Sequence, residues 1–256
     1  MRLPRVLWPA LVMAFVLCGA RCAFAAPDVD AESESLSPAA ILARYEASLA
    51  ELKRPKALTF DYSVEQLGLR DIEQTHHVYR SGHAERDETL IVDGTVLPQP
   101  SVRIIANRSD RYDITQVAPT QAAYTFAYTG TKLDGDDIIY VFQTQRRAPA
   151  SFAVSEIELS ARSFLPTAVH FKIGGYGARG SGTLLYGPAD AYWVVRQAQV
   201  NAHLTSGALA HERIQWSNYQ FLPSLPKSTF EAPRPVTPLI PDTTETATPE
   251  PDPNSP

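Results

Sequence analysis

From residue 58 to residue 221 apolar and polar side chains alternate, segment after segment, with a period of two. The first segment sets the pattern: Leu58, Phe60, Tyr62 and Val64 alternate with Thr59, Asp61, Ser63 and Glu65. Successive side chains of a strand point to opposite sides of a sheet, so such a segment offers one face to a core and one to water. Similar segments cover 77–80, 88–92, 102–107, 124–129, 137–144, 155–159, 167–173, 181–186, 192–204 and 212–221. A single helical pattern precedes them. Ser37-Pro38 supplies an N-cap and a first-turn proline, and Ile41, Leu42, Tyr45, Leu49 and Leu52 recur at helical spacing before Pro55. One amphipathic helix over 38–53 and ten or eleven strands predict a mostly β, antiparallel meander. The connections agree: Asp93-Gly94 and Asp134-Gly135 suit hairpin turns that need positive φ, and Leu165-Pro166 opens a strand where a missing N–H does little harm.

Both ends of the chain differ from this middle. Arg2 and Arg5 precede an apolar run over 10–17, and Ala23-Phe24-Ala25 follows it. The run is shorter than the ~20 residues that span a bilayer, and Ala-x-Ala is the pattern a signal peptidase cuts. Residues 1–25 therefore read as a secretory signal peptide cleaved after Ala25, with 26–35 a polar leader. Cys18 and Cys22, the two cysteines, would leave with it, so no thiol, disulfide or thiolate metal site is expected in the mature chain. Leu17 and Arg21 precede them, where a lipobox requires Gly, Ala or Ser. At the other end, 231–256 holds eight prolines and five acids and reads as a disordered tail. The expectation is one domain over 36–230, exported to the periplasm or beyond, soluble and without a transmembrane span. After cleavage 20 basic residues face 28 acidic ones, a net −8, which argues against nucleic acid as a partner.

The order of elements resembles the LolA/LolB-like superfamily of periplasmic lipoprotein carriers. Tyr128-Thr129-Gly130 and then 133–142, with the Asp134-Gly135 turn, are similar to that family's strand, turn and strand. Residues 156–159 followed by Phe164-Leu165-Pro166 resemble its strand pair whose second member begins Leu-Pro. Leu225-Pro226, Ser228-Thr229-Phe230 and Pro233 look like its closing segment. The resemblance implies an open half-barrel with the N-terminal helix packed on its concave face. It also implies an apolar cavity holding an acyl chain, a lipid or a lipid-modified protein.

Residue types that carry chemistry are sparse. His76-His77 with His83, Glu85 and Asp87 is the densest set of metal-ligand types, but adjacent strand residues face opposite ways, so the set reads as solvated strand and loop side chains. Asp134, Asp136 and Asp137 lack the spacing of a calcium loop and read as a turn. Glu156 and Glu158 share a strand face that reads as solvent-facing. The glycine-rich stretch 174–182 precedes a strand, not the helix a phosphate loop needs, so it reads as a flexible hairpin connection. No Gly-x-Ser-x-Gly elbow or Ser-x-x-Lys helix start is present.

No catalytic residue, metal or cofactor is therefore expected, and the chain reads as a binding protein. Candidate cavity residues are Leu42, Tyr45, Phe60, Tyr62, Tyr124, Phe126, Tyr128, Phe142, Trp193 and Trp216, with Gly175, Tyr176 and Arg179 as a flap at the mouth. The alternative is a structural or interaction module of the envelope that docks a protein through the sheet, with the Pro-rich tail as a spacer. A cavity above ~300 Å³ would favour the carrier; a filled core with an exposed apolar patch would favour the module.

Overall fold

A computed structural model describes residues 36–68, 71–108, 111–175 and 177–232. The expected signal peptide, leader and most of the expected tail lie outside the described residues. Helix α1 (Pro38–Ala50) comes first, followed by β1 (Ala57–Leu67), β2 (Ile72–Ser81), β3 (Ala84–Val92) and β4 (Thr95–Ile105). A single helical turn, α2 (Ile114–Val117), leads to β5 (Tyr124–Asp134), β6 (Asp137–Arg146), β7 (Phe152–Ser160) and β8 (Pro166–Gly174). The last strands are β9 (Ala178–Ala189), β10 (Tyr192–Leu204) and β11 (Leu209–Leu222), and a 3₁₀ turn (Lys227–Phe230) follows. Each of the eleven alternating segments is a strand.

The strands form one open antiparallel sheet in the order β4-β3-β2-β1-β11-β10-β9-β8-β7-β6-β5. Neighbours in sequence pair through hairpins except for β4 and β5, and β1 pairs with β11 to join the two runs in the middle. Tight turns make this possible. Asp93 and Gly94 between β3 and β4 have φ of 49° and 75°, as a primed two-residue turn requires. The two unpaired edges are blunted. On β4, Pro98 and Pro100 lack the N–H that would template another strand, and the pairing jumps from Thr89↔Ser101 to Ile91↔Val96 across them. On β5 a bulge falls between Tyr128 and Gly130, where Gly130 takes φ 137°. The strand expected from 102 begins seven residues earlier because an edge tolerates those prolines.

The alternation divides the sheet into an inner face, covered by other parts of the chain, and an outer one. Phe60, Val78, Phe142, Val154, Ile157, Leu159 and Val169 are buried on the inner face. Helix α1 covers one side through Ile41, Leu42 and Tyr45; Ser37 Oγ accepts from the Ala40 N–H at 3.2 Å to begin it. It ends three residues short of the expected Lys53, where the Glu51 N–H closes on the Ala47 carbonyl at 3.1 Å. Because β4 and β5 lie at opposite edges, the chain between them must traverse the sheet, and α2 is the described helical part of that crossing.

The glycine-rich stretch is only partly a connection. Gly174 and Gly175 lie at the β8–β9 turn, but Gly180 and Gly182 are inside β9. A Cβ on Gly182 would stand 2.4 Å from Cζ of Phe171 and 2.5 Å from the Gln199 carbonyl oxygen; one on Gly180 would stand 2.1 Å from the Asn201 carbonyl oxygen. Close packing, not flexibility, selects these two glycines. Gly182→Ala is expected to cost about 1–3 kcal/mol through overpacking. Gly174→Ala, with open space at its Cβ, is expected to stay within about 1 kcal/mol of the parent. Urea midpoints of the two variants check this, and equal midpoints would refute the packing account.

Candidate functional site

Where α1 ends, the cover over the inner face is incomplete. A cavity of about 300 Å³ opens there between the α1–β1 connection, α2, the start of β10 and the second half of β11. Its apolar wall is Leu52, Leu58, Ile114, Val195, Trp193 and Trp216, with the Tyr112, Tyr192 and Tyr219 rings beside them. These side chains are held in place. The Trp193 indole N–H donates to the Pro166 carbonyl at 2.8 Å, and the Tyr219 hydroxyl to the Val195 carbonyl at 2.7 Å. Tyr112 meets Trp216 edge-on at 5.1 Å, and the Tyr186 hydroxyl donates to the Tyr112 carbonyl at 3.1 Å. Burial pushes the Tyr186 and Tyr219 hydroxyls far up, so both remain neutral donors.

The cavity's other surface is charged. Lys53, Arg54, Lys56, Arg80, His83 and Arg108 line it, and among the described residues the one carboxylate in the lining is that of Asp113. Arg54 Nη2 donates to Thr115 Oγ1 at 2.7 Å, tying the α1–β1 connection to α2. Asp113 caps α2, accepting from the Thr115 N–H at 2.8 Å.

The ten expected cavity residues separate into groups. Trp193 and Trp216 line the cavity; Tyr62 and Trp216 border a second, shallower depression with the polar Asp61, Ser63, Thr75 and Gln215. Leu42, Tyr45, Phe60, Tyr124 and Phe142 are buried core residues. Tyr45, Phe126, Phe142 and Tyr128 pack in series, with ring centroids 6.4, 6.3 and 5.2 Å apart, so aromatic meets aromatic on that side. Of the flap residues, Gly175 and Arg179 are at the β8–β9 turn and Tyr176 lies outside the described residues. Arg179 pairs with His203, eight residues along β10 from Val195; at about 3.3 Å per residue that is on the order of 25 Å from the cavity.

The histidine cluster disperses as alternation dictates. His77 Nδ1 meets Asp61 at 2.5 Å, while His76 turns to the opposite face and is buried, Nδ1 2.8 Å from Asp87 Oδ1. His83 is at the cavity, and Glu85 pairs with Arg80 at 2.5 Å. The expectation of a solvated His76 and Asp87 is corrected. Asp87 also accepts from the Tyr62 hydroxyl at 3.0 Å and from Arg103 Nη2 at 2.7 Å, and the Tyr62 ring stacks on His76 at 4.3 Å. Burial alone would raise the Asp87 carboxyl, but hydrogen bonds from His76, Arg103 and Tyr62 outweigh it and hold it below its ordinary range. Donors saturate this carboxylate, which makes it a structural anion.

On the outer face, Glu156, Glu158 and His170 bring ligand-type atoms within 4.8 Å of one another. Glu158 Oε1 is 2.6 Å from Lys132 Nζ and 3.2 Å from His170 Nε2, and His170 Nδ1 is 3.0 Å from Thr183 Oγ1. The reading of Glu158 as a plain solvent-facing acid missed these partners, because they come from β5 and β8.

No family model matches the sequence, and no curated protein matches it. Solved structures do. A DUF1329 family protein from Desulfovibrio piger is 11% identical with a TM-score of 0.41, over 75% of this chain and 97% of that one. A LolA superfamily protein from Nitrosomonas europaea is 12% identical with a TM-score of 0.37, over 77% of this chain and 99% of that one. The chain is distantly similar in structure to LolA superfamily proteins. At these identities and scores its site must be read from its own residues. Among the described residues, no helix is long and apolar enough to cross a membrane.

The Glu158 ladder has a definite pH signature. The His170 hydrogen bond lowers Glu158 from 4.5, and the same bond raises His170 from 6.5, with Lys132 and Glu156 as the other charges facing them. Glu158 contributes stability above about 4.5 and loses it as pH falls; His170 contributes below about 6.5 and loses it as pH rises through its raised value. The stability difference between parent and His170→Gln should therefore be largest between about pH 4.5 and 6.5 and smaller at pH 9. Thermal midpoints across pH measure it; a difference independent of pH would overturn the assignment.

Proposed function

We propose that the protein is an exported, non-enzymatic carrier of the cell envelope that shelters one aliphatic chain of a lipid or lipid-modified protein. The observation that supports this reading most is the cavity of about 300 Å³ with Trp193, Trp216, Leu58, Ile114 and Val195 in its wall. That volume stands at the lower end of small-molecule sites. A methylene takes up about as much space as the ~30 Å³ share of a water molecule, so on the order of ten would fit. At about 0.8 kcal/mol per buried methylene the gross gain is roughly 8 kcal/mol, and association costs of about 4 kcal/mol or more leave weak, exchangeable binding. Weak, reversible holding suits a protein that must also release its cargo.

The alternative, an interaction module docking through an apolar surface, has less to draw on. Leu133 and Ile138 face each other at the tip of the β5–β6 hairpin, 78% and 47% exposed. Two side chains make a small patch beside the several hundred Å² that mark a docking surface.

Trp193 and Trp216 are the tryptophans of residues 26–256, and both line the cavity. Their fluorescence therefore reports occupation. Titrating the chain that begins at Ala26 with a fatty acid brominated near its end should quench it saturably, and unbrominated decanoate should restore it. Val195→Trp, which narrows the cavity, should weaken the titration at least tenfold at an unchanged melting temperature. Absence of saturable quenching at millimolar ligand would sink the carrier reading.

A further inference from the structure

We propose that the ligand of this cavity is a single-chain anionic amphiphile, its carboxylate or phosphate headgroup held at the mouth by Lys53, Arg54, Lys56, Arg80 and Arg108. This rests on the carrier reading and adds the chemistry of the headgroup. The chain as a whole is acidic, with 23 basic and 28 acidic residues, yet among the described residues the cavity lining gathers five Lys and Arg side chains and, of the acids, Asp113. Counting Glu85, the partner of Arg80, and setting Arg108 aside, the described residues there still hold four cations against two carboxylates. The five come from three separate stretches: 53–56 after α1, Arg80 at the end of β2, and Arg108 beyond β4. Their convergence is a product of the fold, because a run of surface lysines would be contiguous in sequence.

Two of the three stretches are pinned in place. Arg54 is fixed to Thr115, and the Arg108 N–H donates to the His83 carbonyl at 3.1 Å, which sets the Arg108 side chain beside the β2–β3 turn. Arg80 lies over the Phe60 ring at 4.6 Å. Burial, and next the charge of Arg80, lower the affinity of Arg108 for its proton, so these two guanidiniums sense each other in a partly buried place. Glu85 and Asp113 offset part of that repulsion, and an anion bound at the mouth would offset more of it. The same cavity then presents aromatic and aliphatic side chains to a hydrocarbon chain. Charge at the mouth and hydrocarbon in the interior are the two halves of an ionised fatty acid or an alkyl phosphate.

The test compares decanoate, decyl phosphate, 1-decanol and inorganic phosphate at pH 8, by tryptophan fluorescence and calorimetry on residues 26–256. Decanoate and decyl phosphate should bind at least tenfold more tightly than 1-decanol, and the gap should shrink between 50 and 500 mM salt. The double variant Lys53→Glu/Lys56→Glu, at two exposed positions, should close the gap through weaker decanoate binding, with its melting temperature showing that it folds. Equal binding of 1-decanol and decanoate would overturn the headgroup assignment and leave the carrier reading standing. If none of the three ten-carbon compounds binds, both readings fall. Inorganic phosphate binding as tightly as decyl phosphate would make this a site for free anions and overturn the amphiphile. A gap that survives in the double variant would remove the two lysines from the clamp.

Discussion

An open sheet of eleven strands leaves one apolar face bare unless the same chain lays something across it. Tyr45 ties together the two pieces that do so here. Its ring meets Phe126 of β5 edge-on, and its hydroxyl donates at 2.7 Å to the carbonyl of Pro119, in the stretch that carries the chain from one sheet edge to the other. Burial pushes the Tyr45 hydroxyl far up, so it remains a neutral donor at any pH the fold survives. With the middle of α1 fixed over the β5–β6 side, its C-terminal end and the 52–56 connection reach only part of the remaining face. The cavity is the gap this arrangement leaves, and Arg54 on Thr115 closes the covering layer above it.

Charge is distributed on the same plan. Inside, Asp87 is a buried carboxylate surrounded by His76, Arg103 and Tyr62, a set whose desolvation is tolerable because every oxygen has a donor. Outside, Lys132, Glu158, His170 and Thr183 form a ladder across β5, β7, β8 and β9. At the cavity the balance changes, since among the described residues the cations in its lining outnumber the carboxylates. Lysines and arginines gathered around an opening, and not laddered across a sheet face, do little for stability, and on the reading proposed above they meet an anionic headgroup.

Period-two alternation made all eleven strands legible, because each shows one face to the core and one to water, and Asp93-Gly94 announced its turn through the φ it needs. What could not be read depends on which strands become neighbours. Gly180 and Gly182 looked like a flexible loop until β10 and Phe171 were placed against them. His76 looked solvated until Asp87, eleven residues away, came beneath it. The four-residue α2 is too short to show a helical period, and the basic cluster is spread over 53–108 with no local motif. The aromatic residues were recognisable as inward-facing, but alternation does not say whether a ring meets another ring or an opening. Trp193 and Trp216 face the opening, whereas Phe126 and Phe142 meet other rings.

On the carrier reading proposed above, that division limits the size of the cargo. A chain of about ten methylenes fits as the protein stands, but a second or third acyl chain would need the space now filled by Ile41, Leu42, Tyr45 and the rings beneath them. Lifting α1 would expose those three side chains at about 1.5–3 kcal/mol each and break the buried bond to Pro119. The sum, on the order of 5–9 kcal/mol, approaches the whole stability of an ordinary domain. A bulkier ligand would have to return that free energy on binding, which is why the ligand proposed above has a single chain.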